Sequence, residues 1–514
     1  MRHALSRPAS MNRKLHSTRP TYLMRMLMAT AVPAAVLSGC MNLAPSYTQP
    51  AAPVPTAWQS ASAVPAGATA AAPMNTGWRD FLVDERLRGI VELALANNRD
   101  LRVAALNIER ANAQYGVVSA ATLPSIAGNA GATRTRTPGS VSTSGQSRIA
   151  SQFSANLAMT SYELDFFGRV RNLGESALQS YFQVEETRRS TQISLVASVA
   201  TAWLQLAADQ QRLQLARNTL ASQQKSYDLI ERSHALGAQS GLSLSQAQTT
   251  VESARADAAN YDALVEQDRN ALALLVGTTP PAALLPPMDV PVVASAPVTQ
   301  LLAPPAELPS SVLQQRPDVL AAEHALQASN ADIGAARAAF YPRITLTGSA
   351  GSASSSLSGL FDSGSSAWTF APSITLPIFN NGANSASLRV AEAQREIQLA
   401  NYEKTLQTAF REVADALAAR RTLGERLSAQ QALLAATSRS FELSQALFRA
   451  GSGTYLSVLD AQRTQYAAQQ TLITLQLTEQ ANRLTLYKVL GGGWTERTVE
   501  AAANAPATPR AGGG

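Results

Sequence analysis

The chain has 514 residues, with 42 Lys or Arg against 36 Asp or Glu and a single cysteine. One cysteine excludes an intrachain disulfide, so packing alone must hold the fold. The formal charge of +6 comes from the first 39 residues, where Arg2, Arg7, Arg13, Lys14, Arg19 and Arg25 meet no acid; the rest is near neutral and gives no reason to expect nucleic acid as a partner.

An apolar run, Met26 to Leu37, follows those basic residues and closes on Leu37-Ser38-Gly39-Cys40. Basic, apolar and small-residue regions in that order are the layout of a secretory leader, and the run is too short for a membrane-spanning helix. Leu-Ser-Gly-Cys resembles the bacterial lipobox, which implies loss of 1–39 and acylation of Cys40. Met41, where Asp would retain such a lipoprotein at the inner membrane, implies sorting to the outer membrane. A covalent lipid on Cys40 is the only prosthetic group expected.

Residues 40–77, rich in Ala, Pro and Ser, read as an extended tether. Apolar spacing through Leu87, Ile90, Val91, Leu95, Leu101, Ala105 and Ile108 predicts a helix from about 84 to 121, ended by Pro124. Strands are expected at 125–135 and 152–166; in the second, Phe153, Ala155, Leu157 and Met159 alternate with Ser154, Asn156, Ala158 and Thr160. From 170 to 235 there is no Pro and one Gly, a helix of roughly 95–100 Å at 1.5 Å per residue. A Gly/Ser break at 236–241 precedes a return helix, 242–276.

The chain then repeats this order. Asn97-Asn98-Arg99-Asp100-Leu101 aligns with Gln315-Arg316-Pro317-Asp318-Val319, Pro124 with Pro342, Gly168 with Gly382, Gly237 with Gly451, and Ala247-Gln248 with Ala461-Gln462, with one length change inside a loop. The second copy predicts a helix at 309–340, strands at 343–350 and 368–379, a long helix at 383–450, a break at 451–453 and a return helix at 455–490. The chain therefore divides into a leader (1–39), a tether (40–77), a first repeat (78–278), a Pro-rich linker (279–308), a second repeat (309–494) and a tail expected to be disordered (495–514).

Two strands per repeat give four per chain. Their alternation is that of membrane barrel strands, yet four cannot close a barrel, and an open edge cannot face lipid. Three chains would pool twelve. Helices near 100 Å long must pack along other long helices as a wall. With three chains the class would be mainly α with a membrane β-barrel, a trimeric twelve-stranded barrel continued by a long α-helical barrel; ordinary soluble sheet strands are the other reading. Gly168 and Gly382 mark the abrupt strand-helix junctions.

The segments Ser161-Tyr162-Glu163-Leu164-Asp165-Phe166-Phe167-Gly168-Arg169-Val170, Arg316-Pro317-Asp318-Val319-Leu320-Ala321-Ala322-Glu323, Ala331-Asp332-Ile333-Gly334-Ala335-Ala336-Arg337, Phe340-Tyr341-Pro342 and Leu490-Gly491-Gly492-Gly493-Trp494 are closely similar to the signatures of outer-membrane factors of the TolC/NodT type, in the lipoprotein branch typified by OprM. The likeness spans about 78–494. It implies a homotrimer anchored in outer-membrane lipid and extending into the periplasm. Such a trimer docks with a periplasmic membrane-fusion adaptor and an inner-membrane pump of the RND type. It is a passive gated duct for small toxic molecules such as antibiotics, solvents or aromatic compounds. A conduit for type I protein secretion has similar architecture and is the alternative; a pore-less scaffold lipoprotein is the reading from another class.

The resemblance also assigns sites. The helix breaks would form adaptor-docking tips, with Gly237, Ser240, Gly241, Gly451, Gly453 and Thr454. Leu456, Asp460 and Arg463, spaced i, i+4, i+7, align with the branch's periplasmic gate, and a trimer would make each a ring. The first repeat has Leu242, Gln246 and Thr249 there, so the charged ring would be three-fold. No enzyme is expected: His234 and His324 lack metal-spaced neighbours, and Gly491-Gly492-Gly493 has no following Lys-Ser/Thr and reads as a helix stop.

Overall fold

The computed structural model describes residues 41–58, 76–287, 299, 301–302 and 309–498. Cys40, the leader and the remainder of the tail lie outside them. The chain forms two units, one built on a sheet (41–45, 121–172 and 333–387) and one on helices (46–120, 173–332 and 388–498).

The sheet has four antiparallel strands in sequence order: β1 (Ile126–Thr137), β2 (Arg148–Leu164), β3 (Arg343–Ser354) and β4 (Ser366–Thr375). Paired residues share a face, so the register sorts the side chains. Gly128, Leu157, Ala350 and Trp368 form one cross-strand row; Met159, Gly348 and Phe370 form the next. That face is apolar and uncovered: Leu157 is 62% exposed, Trp368 77% and Ile374 69%. The other face carries Asn129, Asn156, Ser154, Thr133, Gln152, Ser349, Thr347, Thr369 and Ser373. β1 and β4 each pair on one side only. A bulge at Ser161, with φ 51°, shifts the register between Met159 and Tyr162.

The helices are α1 (Glu85–Asn97), α2 (Arg99–Ser119), α3 (Arg169–Ala235), α4 (Gly241–Val276), α5 (Pro317–Ala338), α6 (Ala383–Arg449) and α7 (Tyr455–Val489). α3 and α6 have 67 residues each, about 100 Å of helix. Phe81, Leu87, Ile90, Trp203, Leu272, Leu484 and Tyr487 fill the main core, where Phe81 and Tyr487 stack at 3.9 Å. A second core joins Trp58, Leu313, Val319, Tyr402, Leu406 and Leu486.

Several expectations change, among them the start of β2 at Arg148 rather than 152 and the end of β3 at Ser354 rather than 350. The single helix expected at 84–121 is two, because Asn98 (φ −61°, ψ 134°) leaves the helix and its side chain accepts from the Leu101 N–H. The helix expected from 309 begins at Pro317; Arg316 is extended, as the residue before a proline prefers to be. β4 ends at Thr375, short of the 379 expected, with Pro377 two residues beyond. The stretch expected to be tail starts with order: the carbonyls of Thr495 and Glu496 accept from the Trp78 and Arg79 N–H groups at 3.0 and 3.1 Å.

The part of the tether that is described is also packed down. Trp58 is 3% exposed, donates from Nε1 to the Phe410 carbonyl at 3.2 Å and stacks on the Phe410 ring. The Tyr47 hydroxyl and the Gln49 amide both donate to the Glu323 carboxylate.

Candidate functional site

Both helix breaks use the same backbone device. Gly237 (φ 77°) donates to the His234 carbonyl and Ala238 to that of Ser233; Gly451 (φ 76°) donates to Phe448 and Ser452 to Leu447. A left-handed residue closing a long helix in this way favours Gly at both positions. Ser240 and Thr454 then cap the return helices, accepting from the Ser243 and Ser457 N–H groups at 3.1 and 3.2 Å. Gly453 is confined, since a Cβ there would lie 3.1 Å from Leu447 and Phe448, whereas Gly241 faces open space apart from the His234 ring at 4.0 Å. The His234 ring closes the first turn through Nδ1 and the Gln239 carbonyl at 2.8 Å.

The structure brings the two breaks together. Ile230, Ala247, Tyr455 and Leu459 form one buried cluster, flanked by Tyr227, Leu244 and Phe448, so all four long helices meet beside the breaks.

Leu456, Asp460 and Arg463 are all exposed on α7. Leu456 and Asp460 line a cavity of about 550 Å³ with the α6 hydroxyls of Thr437, Ser440 and Ser444. Arg463 lines a different one, about 240 Å³, with Thr249, Asp257 and Tyr466. The three residues thus occupy the two flanks of one exposed face, and no ion pair joins Asp460 to Arg463 among the described residues.

A model of the outer membrane efflux protein family matches residues 90–278 and 308–492. The chain belongs to that family. It is similar to the toluene efflux pump outer membrane protein TtgC of Pseudomonas putida, at 46% identity over 93% of this chain and 97% of the relative. It is also similar to the solvent efflux pump outer membrane protein SrpC of Pseudomonas putida, at 46% identity over 90% and 97%. Among solved structures it matches the open state of the MtrE outer membrane channel of Neisseria gonorrhoeae, with TM-score 0.79 and 38% identity over 89% of this chain and all of the other.

In this outer membrane efflux protein the strand-helix junctions are sharp turns: Gly168 has φ 75°, Gly382 φ 80° and Asn381 φ 54°. At the first junction the Arg169 guanidinium grips both oxygens of Glu163, at 2.8 and 2.7 Å. Arg343 adds a third contact at 2.6 Å. Phe167 and Tyr341 stack beside them at 4.7 Å. Glu163 and Arg169 sit in the motif that carries the resemblance; Arg343 gives no sequence signal, because register alone brings β3 to it.

Sequence reasoning also missed a polar cluster in the helical unit. Asp209, buried, accepts from Gln205 at 2.7 Å and from Arg212 at 2.5 Å, and Arg212 reaches on to Thr474 at 2.9 Å. Burial, then the hydrogen bond to and charge of Asp209, push the Asp268 carboxyl up to about 7 against the pull of Arg212. Gln205, Asp209 and Arg212 read in sequence as an ordinary solvated helix face, and nothing there links them to Asp268.

Proposed function

We propose that three copies of this outer membrane efflux protein form the exit duct of a tripartite pump, passing small toxic molecules such as antibiotics, solvents or aromatic compounds. The sheet carries this reading. It has two unpaired edges and an apolar face without a covering layer, which no isolated soluble protein can leave in water at that extent. Pooling strands edge to edge satisfies the backbone and turns the apolar face to lipid. The helical unit offers matching support: α2 exposes Val103, Leu106 and Val117, and α6 exposes Val390 and Ile397, apolar residues suited to neighbouring copies.

Within this reading Cys40 carries the lipid, and the backbone places its neighbour at the end of β2, where the Met41 N–H donates to the Phe166 carbonyl at 3.1 Å. The paired breaks dock a periplasmic adaptor, which links the duct to an inner-membrane pump of the RND type. Leu456 and Asp460 narrow the pore as three-fold rings, with Arg463 free to pair across the boundary between copies. The duct performs no chemistry and needs no cofactor or metal.

Deleting the gene and testing growth against antibiotics, dyes, solvents and aromatic acids checks the reading. The expected result is hypersensitivity reversed by the wild-type gene. An unchanged profile, together with a changed set of secreted proteins, would assign the chain to protein secretion. Light scattering on the solubilised protein is expected to give three copies; a stable monomer would overturn the pooled barrel.

A further inference from the structure

The apolar face of the sheet ends in charge at one place. Arg134 and Arg136 lie opposite Ser151 and Ile149, and so on the face that carries Leu157 and Trp368. They are the only charged residues on that face of the four strands; Arg148, Glu163 and Arg343 belong to the other. Below them β1 presents Ala132, Ala130, Gly128 and Ile126. Both arginines are exposed, and neither has a hydrogen-bond or ion-pair partner among the described residues.

The spacing matches a membrane boundary. From Ile126 to Arg134 the strand covers about 26 Å, or roughly 19 Å along the membrane normal at a 45° tilt. The apolar band of a membrane barrel is about 25 Å tall. Arg134 at roughly 19 Å and Arg136 at roughly 23 Å are thus within a side chain's reach of the band's edge, at the strand ends that carry the hairpins rather than the helices. On the pooled-barrel reading, on which this inference rests, that boundary is the outer leaflet and the face is its lipid side.

Two guanidiniums at i and i+2, roughly 6.6 Å apart along the strand, form a double fork for phosphate. A lone arginine at such a boundary could merely extend into water, but two side by side with no carboxylate on their face leave an uncompensated double charge. We infer that Arg134 and Arg136 bind the phosphate groups of a phosphorylated glycolipid of the outer leaflet, of the lipid A class, on the outer wall of the barrel.

The test uses the full chain purified in detergent and placed in phospholipid nanodiscs, as wild type and as Arg134→Gln/Arg136→Gln. Binding of diphosphorylated lipid A is compared with that of the same lipid stripped of phosphate. The wild type is expected to prefer the phosphorylated form by about 30-fold, roughly 5-fold for each arginine. The double glutamine variant should lose that preference, and Arg134→Lys/Arg136→Lys should keep part of it. Equal preference in wild type and glutamine variant would overturn the inference. Displacement by millimolar inorganic phosphate would assign the site to free anions instead of a lipid. Incorporation into the nanodiscs is scored separately: a wild type that enters the bilayer but shows no preference sinks this inference alone, whereas one that fails to enter sinks the barrel reading as well.

Discussion

The two repeats hold the same carbonyl with different chemistry. In the first, Asn98 donates from its amide to the Leu275 carbonyl at 2.8 Å, at the end of the return helix α4. In the second, the aligned residue is Arg316, which donates to the aligned carbonyl, that of Val489, at 2.7 Å. The asparagine also caps α2, so one neutral side chain starts one helix and holds the end of another. The arginine brings in Asp318 and Glu412 at 2.7 and 3.0 Å and remains 8% exposed. Duplication has kept the contact and let its partners diverge. At Asp268 the contact itself has diverged: its partner is Asp209, whereas the aligned Asn482 donates from its amide to the Ala416 carbonyl at 3.0 Å.

That comparison can be broken in several places. The largest effect should come from Arg316→Ala, which takes a buried guanidinium from the Val489 carbonyl and from two carboxylates that stay partly in water, at a cost of about 2–4 kcal/mol. Asn98→Ala removes neutral bonds alone, at about 1–3 kcal/mol. Thermal unfolding of the two variants should therefore show Arg316→Ala melting lower; equal midpoints would mean that the charges add nothing to the shared contact.

At the breaks, Gly451→Pro forces a negative φ where the chain holds 76°. Export is expected to fall severalfold while the assembled oligomer survives, as read by growth on a toxic substrate and by native gel. Loss of the oligomer would make the break a structural element rather than a docking tip.

Asp460→Ala and Gln246→Ala compare aligned positions near those breaks. Only the first is expected to lower cation preference in planar bilayers, by a modest factor, and equal traces from both would remove the charged ring from the proposed gate.

A further effect is one of pH. The folded chain holds the Asp268 proton up to about 7, whereas an unfolded aspartate releases it near 3.8. Between those values the folded state binds more protons, so stability falls as pH rises from about 4 to 7 and the penalty is complete above 7. Asp268→Asn copies the second repeat and should flatten that slope. A melting temperature with the same pH dependence in both proteins would show that the carboxyl pair is not coupled to folding.

The order of elements was legible because it rests on long periodic runs and on breakers. Both long helices, both Gly breaks and the alternation of β2 follow from spacing alone. The exit of Asn98 from the helix was not, since asparagine is tolerated within helices and the apolar spacing runs unbroken past the point where its side chain caps Leu101 and reaches the distant Leu275 carbonyl. Arg316 was readable in principle from Pro317, but a helical pattern on both sides masked it. At the candidate gate, i, i+4, i+7 spacing puts three residues on one helical face, and all three are exposed. It does not predict that Arg463 opens onto a different cavity from Asp460, because that depends on which neighbour, α6 or α4, stands on each flank. The open sheet edges were anticipated by counting strands, while the confinement of Arg134 and Arg136 to one face needed the register.

Trp58 has a consequence for the timing of folding. Its hydrogen-bond acceptor, the Phe410 carbonyl, lies 352 residues further along the chain. Synthesis runs from the N-terminus, so the segment around Trp58 emerges early and finds its seat only after most of the second repeat has been made. Until then the second core lacks an aromatic side chain, and closing so long a loop is among the slower steps of folding. On the outer-membrane reading proposed above that delay is useful: a precursor whose beginning has nowhere yet to dock stays threadable through a translocon.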